Sequence, residues 1–203
     1  MTALKIWKTH RDVQIPKHQT AQSACFDLAF QSAGKRDYKG YSHMNKPFTR
    51  ELRDRLTIAP GERALVPTGC IMDIPEGFSV RLHARSGTSL KQGLVLANAE
   101  GVIDSDYVEE VFVILHNISG NAVTIENGDR IAQAELVSNI IYHVEETPAR
   151  PLPKTGRTGG FGSTGISTSQ NMVVINIPET TEVKVEPPVK RGRGRPKGST
   201  KKR

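Results

Sequence analysis

Residues 101–107 read Gly-Val-Ile-Asp-Ser-Asp-Tyr. Asp104 and Asp106 stand two apart beside Tyr107, so a carboxylate could act as general base next to an aromatic platform. A hairpin with a polar tip explains the same residues equally well, because Asp and Ser favour turns. Arg85-Ser86-Gly87 ends an alternating stretch. A guanidinium, a hydroxyl and a permissive backbone N–H suit a phosphate, although a strand-end turn is the plainer reading of that triplet alone. Residues 128–133, Gly-Asp-Arg-Ile-Ala-Gln, read by themselves as a turn entering a strand. Residues 159–165, Gly-Gly-Phe-Gly-Ser-Thr-Gly, follow Arg157. Glycines there let backbone N–H groups approach an anion, and Phe161 could cap a flat ring. The alternative is a flexible Gly/Ser linker, in which a phenylalanine has no packing duty.

The elements that must position these residues read as strands. Phe78, Val80 and Leu82 alternate with Ser79, Arg81 and His83. Residues 111–115 are rich in β-branched side chains and suit burial on both faces. Val123 and Ile125 alternate ahead of Asn127-Gly128, and apolar residues resume at Ile131. Turns recur at Pro60-Gly61, Pro75-Glu76-Gly77 and Ser119-Gly120-Asn121. Short strands with frequent turns predict an all-β sandwich or barrel, with one short helix around Thr88 to Gln92. Residues 31–57 are polar and charged and read as a long loop, with a charged helical turn near Arg50 to Arg55. Residues 147–171, rich in Pro, Gly, Ser and Thr, read as a mobile arm. Residues 172–177 could add a strand. The expected organisation is a β domain over 1–147, a glycine-rich arm over 148–171, a linker over 172–189 and a basic tail over 190–203.

Composition sharpens the class. The 203-residue chain has a net charge of +7, which suggests a nucleic-acid binder. Residues 1–189 nevertheless hold 20 Lys and Arg against all 21 acids, while residues 190–203 hold 8 Lys and Arg and no acid. The basicity is an appendage to a nearly neutral body. Two cysteines, Cys25 and Cys70, cannot build a disulfide framework or a Cys-rich zinc site, and the spacing of the six histidines suggests no metal. Both cysteines read as buried rather than reactive. No apolar run approaches a membrane span and no signal-peptide core is evident, so a soluble intracellular protein of cytoplasm or nucleus, without a membrane partner, is expected.

Taken in order, these segments resemble the five motifs of the trimeric dUTP pyrophosphatase (dUTPase) family. Residues 23–28 would be the first, residues 84–87 the second, 101–107 the third, 128–133 the fourth and 159–165 the fifth. The resemblance covers about residues 5–165. It implies a jelly-roll-like β-barrel subunit, a homotrimer with sites shared between subunits, and Mg2+ on the triphosphate of dUTP. It implies hydrolysis of dUTP to dUMP and pyrophosphate, which limits uracil in DNA and supplies dUMP for dTTP synthesis. By the same resemblance Asp104 is the general base and Tyr107 packs under the deoxyribose, excluding a 2′-hydroxyl. Asn98 and the main chain of Val102 and Ile103, with Phe112 on the returning strand, read uracil. Arg85, Ser86, Gly87 and Gln133 contact phosphate, and Asp27 lies near the water shell of the metal. Phe161 stacks on uracil, while Arg157, Gly162, Ser163 and Thr164 close over the phosphates. The chain departs from the family pattern at Ala84, usually proline, and at Cys25 and Glu109, usually glycine. Gly156 stands where the family arginine usually sits, one residue before Arg157. Residues 31–57 are an insertion relative to compact members.

The tail contains Arg193-Gly194-Arg195-Pro196, which resembles the core of an AT-hook. Two arginines could enter the narrow minor groove of A·T-rich DNA, with glycine allowing a deep backbone approach. A solvated basic tail or a nuclear-import signal is the plain alternative. Two other functions remain open for the body: a dCTP deaminase of the same fold, and a DNA-bound regulator that senses nucleotide without turnover. Arg85-Ser86-Gly87 argues against the deaminase, which tends to have Arg-Ser-Ser. The catalytic residue set argues against the sensor.

Overall fold

Period-two alternation becomes strand throughout the computed structural model, which describes residues 2–156. In chain order the elements are β1 (Lys5–Lys8), β2 (Phe26–Ala29), β3 (Asp37–Tyr41), β4 (Pro47–Glu51), β5 (Arg55–Ile58), β6 (Arg63–Asp73) and β7 (Phe78–His83). The helix α1 (Ser86–Gln92) follows, then β8 (Leu94–Leu96), β9 (Gly101–Ile103), β10 (Glu110–Asn117), β11 (Val123–Glu126) and β12 (Arg130–Ser138). The expected all-β class is what the chain adopts. All these elements lie in the first of two units, Met1–Glu145. Of the second, Glu146–Arg203, residues 146–156 are described and hold no strand or helix.

One sheet runs β4-β3-β6-β10-β8, with β1 also paired to β6. β6 is long enough to pair β1 along Cys70–Asp73 and β3 along Arg63–Leu65. The second sheet runs β2-β12-β7-β9, and β11 pairs β5 separately. Every pairing is antiparallel. Inward residues of these sheets form one core that includes Leu28, Phe30, Ile58, Val66, Val80, Val111, Val113 and Leu115. The other face of β10 is not buried as expected: Phe112 is half-buried and Ile114 is 37% exposed. Both line clefts instead.

The helix begins two residues earlier than the sequence suggests, at Ser86, and ends at Gly93. Gly93 adopts a left-handed φ of 67°, and its N–H returns to the Ser89 carbonyl. A side chain there would also strike Ser119, so glycine both stops the helix and lets β8 begin at once.

Residues 31–57 correct the loop expectation. They contain the β3–β4 hairpin and the start of β5, and no helical turn. The alternation was masked because charge sits on outward positions of an edge hairpin. Tyr38 and Gly40 face inward, and the Tyr38 hydroxyl donates to the Thr57 carbonyl at 2.8 Å. A Cβ on Gly40 would fall on the Arg63 carbonyl oxygen, so the hairpin can close onto β6 only with glycine there. Arg50 looks like a solvent residue in sequence. Its guanidinium stacks 3.9 Å from the Phe48 ring centroid and makes a bidentate pair with buried Glu62 at 2.6 and 2.7 Å.

Candidate active site

The third motif leaves β9 and crosses to β10, and its side chains surround a cleft of about 250 Å3. Asn98, Val102, Ile103, Asp104, Tyr107 and Phe112 all line it. At its wall Gly101 lies directly against Leu82 of the neighbouring strand, where a Cβ would meet the Leu82 Cβ at 2.9 Å. Asn98 occupies the turn between β8 and β9, where Ala99 takes a left-handed φ of 61°. The Glu100 N–H donates to the Asn98 carbonyl at 2.7 Å. Asp104 is exposed at the end of β9. Tyr107 is 40% exposed, and its hydroxyl is anchored on the Glu110 carbonyl at 2.9 Å, which fixes the ring. An exposed carboxylate beside an oriented aromatic ring, above a narrow slot with main-chain edges, can bind a flat heterocycle and deprotonate a water near it.

A second cluster gathers the phosphate-contact candidates. The Arg85 Nε–H donates to Asp27 Oδ1 at 2.8 Å, and its Nη1 donates to the Arg130 carbonyl at 3.1 Å. Arg130 Nη1 donates to the other carboxylate oxygen of Asp27 at 3.0 Å. A side chain with five donors in a rigid fork keeps others for a ligand after these bonds. Gln133 lies opposite both Asp27 and His83 in the second sheet, and its amide donates to the Ala84 carbonyl at 3.1 Å, which holds the end of β7. Ser86 and Gly87 are exposed at the start of α1, and nothing lies within 4 Å of where a Gly87 Cβ would be. That open face admits a bulky anion.

Nothing in the local sequence marks Arg130 as a site residue. It is 103 positions from Asp27, and spacing along the chain cannot show that approach. A bulge makes it: Arg130 pairs with Ala29 but Ala132 pairs with Leu28, so one extra residue sits on β12. Ile131 and Ala132 are then both buried, and Arg130 turns outward towards Asp27, a common use of a bulge beside a site. Asp129 of the same motif is a turn residue, since its carboxylate accepts the Glu126 N–H at 2.9 Å.

No residue of the first cleft belongs to the arginine cluster: Arg85, Asp27, Ser86, Gly87 and Gln133 are absent from its lining. Arg85 and Arg130 line a different cleft, of about 200 Å3, with Thr88 and Gln92. Arg157, Phe161, Gly162, Ser163 and Thr164, the possible strand at 172–177, and the tail residues Arg193, Gly194, Arg195 and Pro196 lie outside the described residues.

Among the described residues, no group of three or more His, Cys, Asp or Glu could hold a metal ion. Asp27 is engaged on both oxygens by guanidinium groups. The described residues therefore build no protein cage for a divalent cation. Such an ion fits only as a companion of phosphate oxygens and water, which is how Mg2+ usually binds. His83 is an ordinary structural residue, 3.1 Å from Glu135 and 3.8 Å from Glu100. Cys70 is buried as expected, and burial pushes its thiol up to about 11. Cys25 is only half-buried, and its thiol is raised first by burial and then by Glu135 and Asp27. Among the described residues, no helix is long and apolar enough to cross a membrane.

Comparison with known proteins gives consistent matches. The family model described as dUTPase matches residues 51–165. A deoxyuridine 5'-triphosphate nucleotidohydrolase of Rhizobium leguminosarum bv. trifolii (strain WSM2304) is 47% identical over 111 residues, covering 55% of this chain and 70% of the relative. The dUTPase of Staphylococcus bacteriophage 80alpha, solved with dUPNHPP, superposes with a TM-score of 0.64 over 82% of this chain and 100% of that one, at 20% identity. A mutant dUTPase from phage phi11 of S. aureus, described with a structural Mg(II) ion, superposes with a TM-score of 0.58 over 73% of this chain and 99% of that one, at 18% identity. At such identities the two structures show the shared fold.

Proposed function

The chain belongs to the dUTPase family, and from that premise we propose that it hydrolyses dUTP to dUMP and pyrophosphate. The observation that carries the reading is the cleft that joins Asp104 and Tyr107 to Asn98, Ile103 and Phe112. Asp104 takes a proton from the water that attacks the α-phosphorus. A new O–P bond forms as the bond to the β-phosphate oxygen breaks, and pyrophosphate leaves. Tyr107, tied to the Glu110 carbonyl, presents its ring to the deoxyribose and leaves no room for a 2′-hydroxyl. Main-chain groups of Val102 and Ile103 read the uracil edge. Arg85, Ser86, Gly87 and Gln133 receive the phosphates, with Asp27 and Arg130 orienting Arg85. Mg2+ on the triphosphate would offset the charge that develops on its oxygens, and Asp27 would meet the water shell of that ion. Phe161 would stack on uracil, and Arg157, Gly162, Ser163 and Thr164 would close over the phosphates.

A homotrimer completes the site. Two observations support it. The base cleft and the arginine cluster share no lining residue on one chain, which fits a site to which a neighbouring copy contributes. Ile140, Ile141, Tyr142 and Val144 are 78–92% exposed just past β12, and apolar surface of that kind marks an interface with another chain. Tail residues 190–203 are proposed to hold the enzyme on A·T-rich DNA through Arg193 and Arg195.

Pyrophosphate release from dUTP, UTP, dTTP and dCTP tests the activity. Turnover confined to dUTP is expected, and ammonia from dCTP would replace this reading with a deaminase. Asp104→Asn is expected to lower kcat by about 10²–10⁴ while retaining dUTP binding. Full turnover by that variant removes Asp104 from the base role. Truncation after residue 188 is expected to keep hydrolysis and lose retention on A·T-rich DNA; equal retention overturns the tail proposal.

A further inference from the structure

The β6–β10 ladder is broken beside the cleft. Glu110 pairs with Ile71 and Phe112 with Pro67, so Thr68, Gly69 and Cys70 stand opposite Val111 alone. Such an irregularity removes ladder partners, and a buried backbone group without a partner is costly. Two side chains repair it. The Thr68 hydroxyl donates to the Val111 carbonyl at 2.6 Å. Glu110 Oε1 accepts the Gly69 N–H at 2.9 Å. The second repair places a carboxylate, its side chain 10% exposed, inside the sheet. A buried charge of this kind needs a partner, and Lys35 supplies it: Nζ lies 2.6 Å from Glu110 Oε2. The same ammonium sits 5.6 Å from the Phe112 ring centroid. On its main-chain side Glu110 accepts the Tyr107 hydroxyl at 2.9 Å. Lys35 thus touches Glu110 and Phe112, and Glu110 holds Tyr107. Tyr107 and Phe112 both line the base cleft, whereas Lys35 and Glu110 do not.

We propose that Lys35, from the segment that the sequence marks as an insertion, is a positioning residue for the nucleotide cleft. By holding Glu110 at the break in the ladder it fixes the Tyr107 ring and the start of the Phe112 strand, and so sets how well the site distinguishes deoxyribose from ribose. The inference rests on the dUTPase reading of the cleft. Without Lys35 the Glu110 carboxylate swings towards solvent, the Gly69 N–H loses its acceptor, and the Glu110 carbonyl moves with its own chain. Tyr107 follows, since its hydroxyl is bonded there.

The test uses the full chain and three variants, Lys35→Met, Lys35→Arg and Lys35→Ala. Hydrolysis of dUTP and UTP is followed well below each melting temperature, and calorimetry measures binding of non-hydrolysable dUTP and UTP analogues. Lys35→Met is expected to raise KM for dUTP about tenfold with kcat changed far less, a loss in line with sub-ångström misplacement. Its preference for the dUTP analogue over the UTP analogue is expected to fall by a similar factor. Lys35→Arg, which keeps the charge, is expected to recover most of both. A Lys35→Met protein with lowered thermal stability but wild-type KM and wild-type sugar preference overturns the proposal. If Lys35→Met does not fold, Lys35→Ala decides. It removes the ammonium but leaves room for water at the Glu110 carboxylate, and wild-type KM and preference in that variant overturn the proposal equally. The calorimetric comparison requires no turnover. A wild-type chain that fails to hydrolyse dUTP therefore refutes the activity, while the analogue preference still tests Lys35.

Discussion

Replacing Gly101 by alanine should slow hydrolysis without touching a single polar group. The ideal Cβ at this position lies 2.9 Å from Leu82 Cβ and 3.0 Å from both Cγ and Cδ1. Carbon atoms prefer about 3.5–4.0 Å, so a separation of roughly 0.5–1 Å must be found. Rotating Leu82 relieves Cγ and Cδ1 but not Cβ, which moves only with the backbone, and Leu82 is 3% exposed in the core. β7 is also held on its other side by six residue pairs with β12, from Gln133↔His83 to Ser138↔Phe78. β9 has three pairs, all to β7, and gives way instead. Asp104 follows directly on β9, so the proposed base moves with it. A misplacement of about 1 Å can cost 10²-fold in rate, so kcat for dUTP is expected to fall about 10- to 100-fold. Overpacking typically costs about 1–3 kcal/mol, so the melting temperature should also drop by a few degrees. Continuous pyrophosphate release at saturating dUTP, with a thermal scan of the same sample, measures both. A Gly101→Ala protein turning over within twofold of wild type at an unchanged melting temperature would overturn this expectation, because it would mean that β9 tolerates the contact without moving.

Three further outcomes follow from the same geometry. The Arg50 hydrogen bonds hold the Glu62 carboxyl below the usual glutamate range, helped by the Ala59 N–H. A depressed carboxyl stabilises the fold above its unfolded pKa and loses that contribution as pH falls through the folded value. Arg50→Met should therefore flatten the acid limb of a stability–pH profile. It should also cost about 2 kcal/mol near neutrality, below the ~3–5 kcal/mol of a fully buried pair because Arg50 is 43% exposed; an unchanged acid limb argues against the pair. Asn117 is fully buried and bonds the Ile58 and Asn121 carbonyls and the Ser119 N–H and hydroxyl. Asn117→Ala should destabilise by about 2–4 kcal/mol in urea denaturation, since it strands buried groups at ~1–3 kcal/mol each. Cys70, with its thiol raised to about 11, should resist thiol reagents at pH 8 in the native protein and react only on unfolding; prompt labelling in native buffer contradicts its placement.

The local signals that were legible are those with a short physical range. Alternation in residues 78–83 and the Asn127-Gly128 turn became β7 and the β11–β12 connection, because side-chain direction along a strand has period two wherever one face is buried. The third motif could be placed beside a cleft because a strand, a turn and an aromatic lie within seven residues. The insertion was misread for the converse reason. Its hairpin lies at the edge of the sheet with charged outer faces, and its inward positions hold Tyr38, Gly40 and Phe48. Hydropathy sees charge there; packing sees a guanidinium over Phe48 and a paired Glu62.

Legible in the sequence alone are the candidate reacting groups, the family resemblance they spell, the all-β class and the separation of a nearly neutral body from a basic tail. Those follow from residue identity, local order and summed charge. Only the tertiary structure decided which groups meet. It brought Arg130 to Asp27 across 103 residues through a bulge in β12, and Lys35 to Glu110 through a broken ladder in β10. Both contacts depend on register, and register is set by how two sheets bury their inner faces together. That is a property of the whole core, which no window of sequence contains.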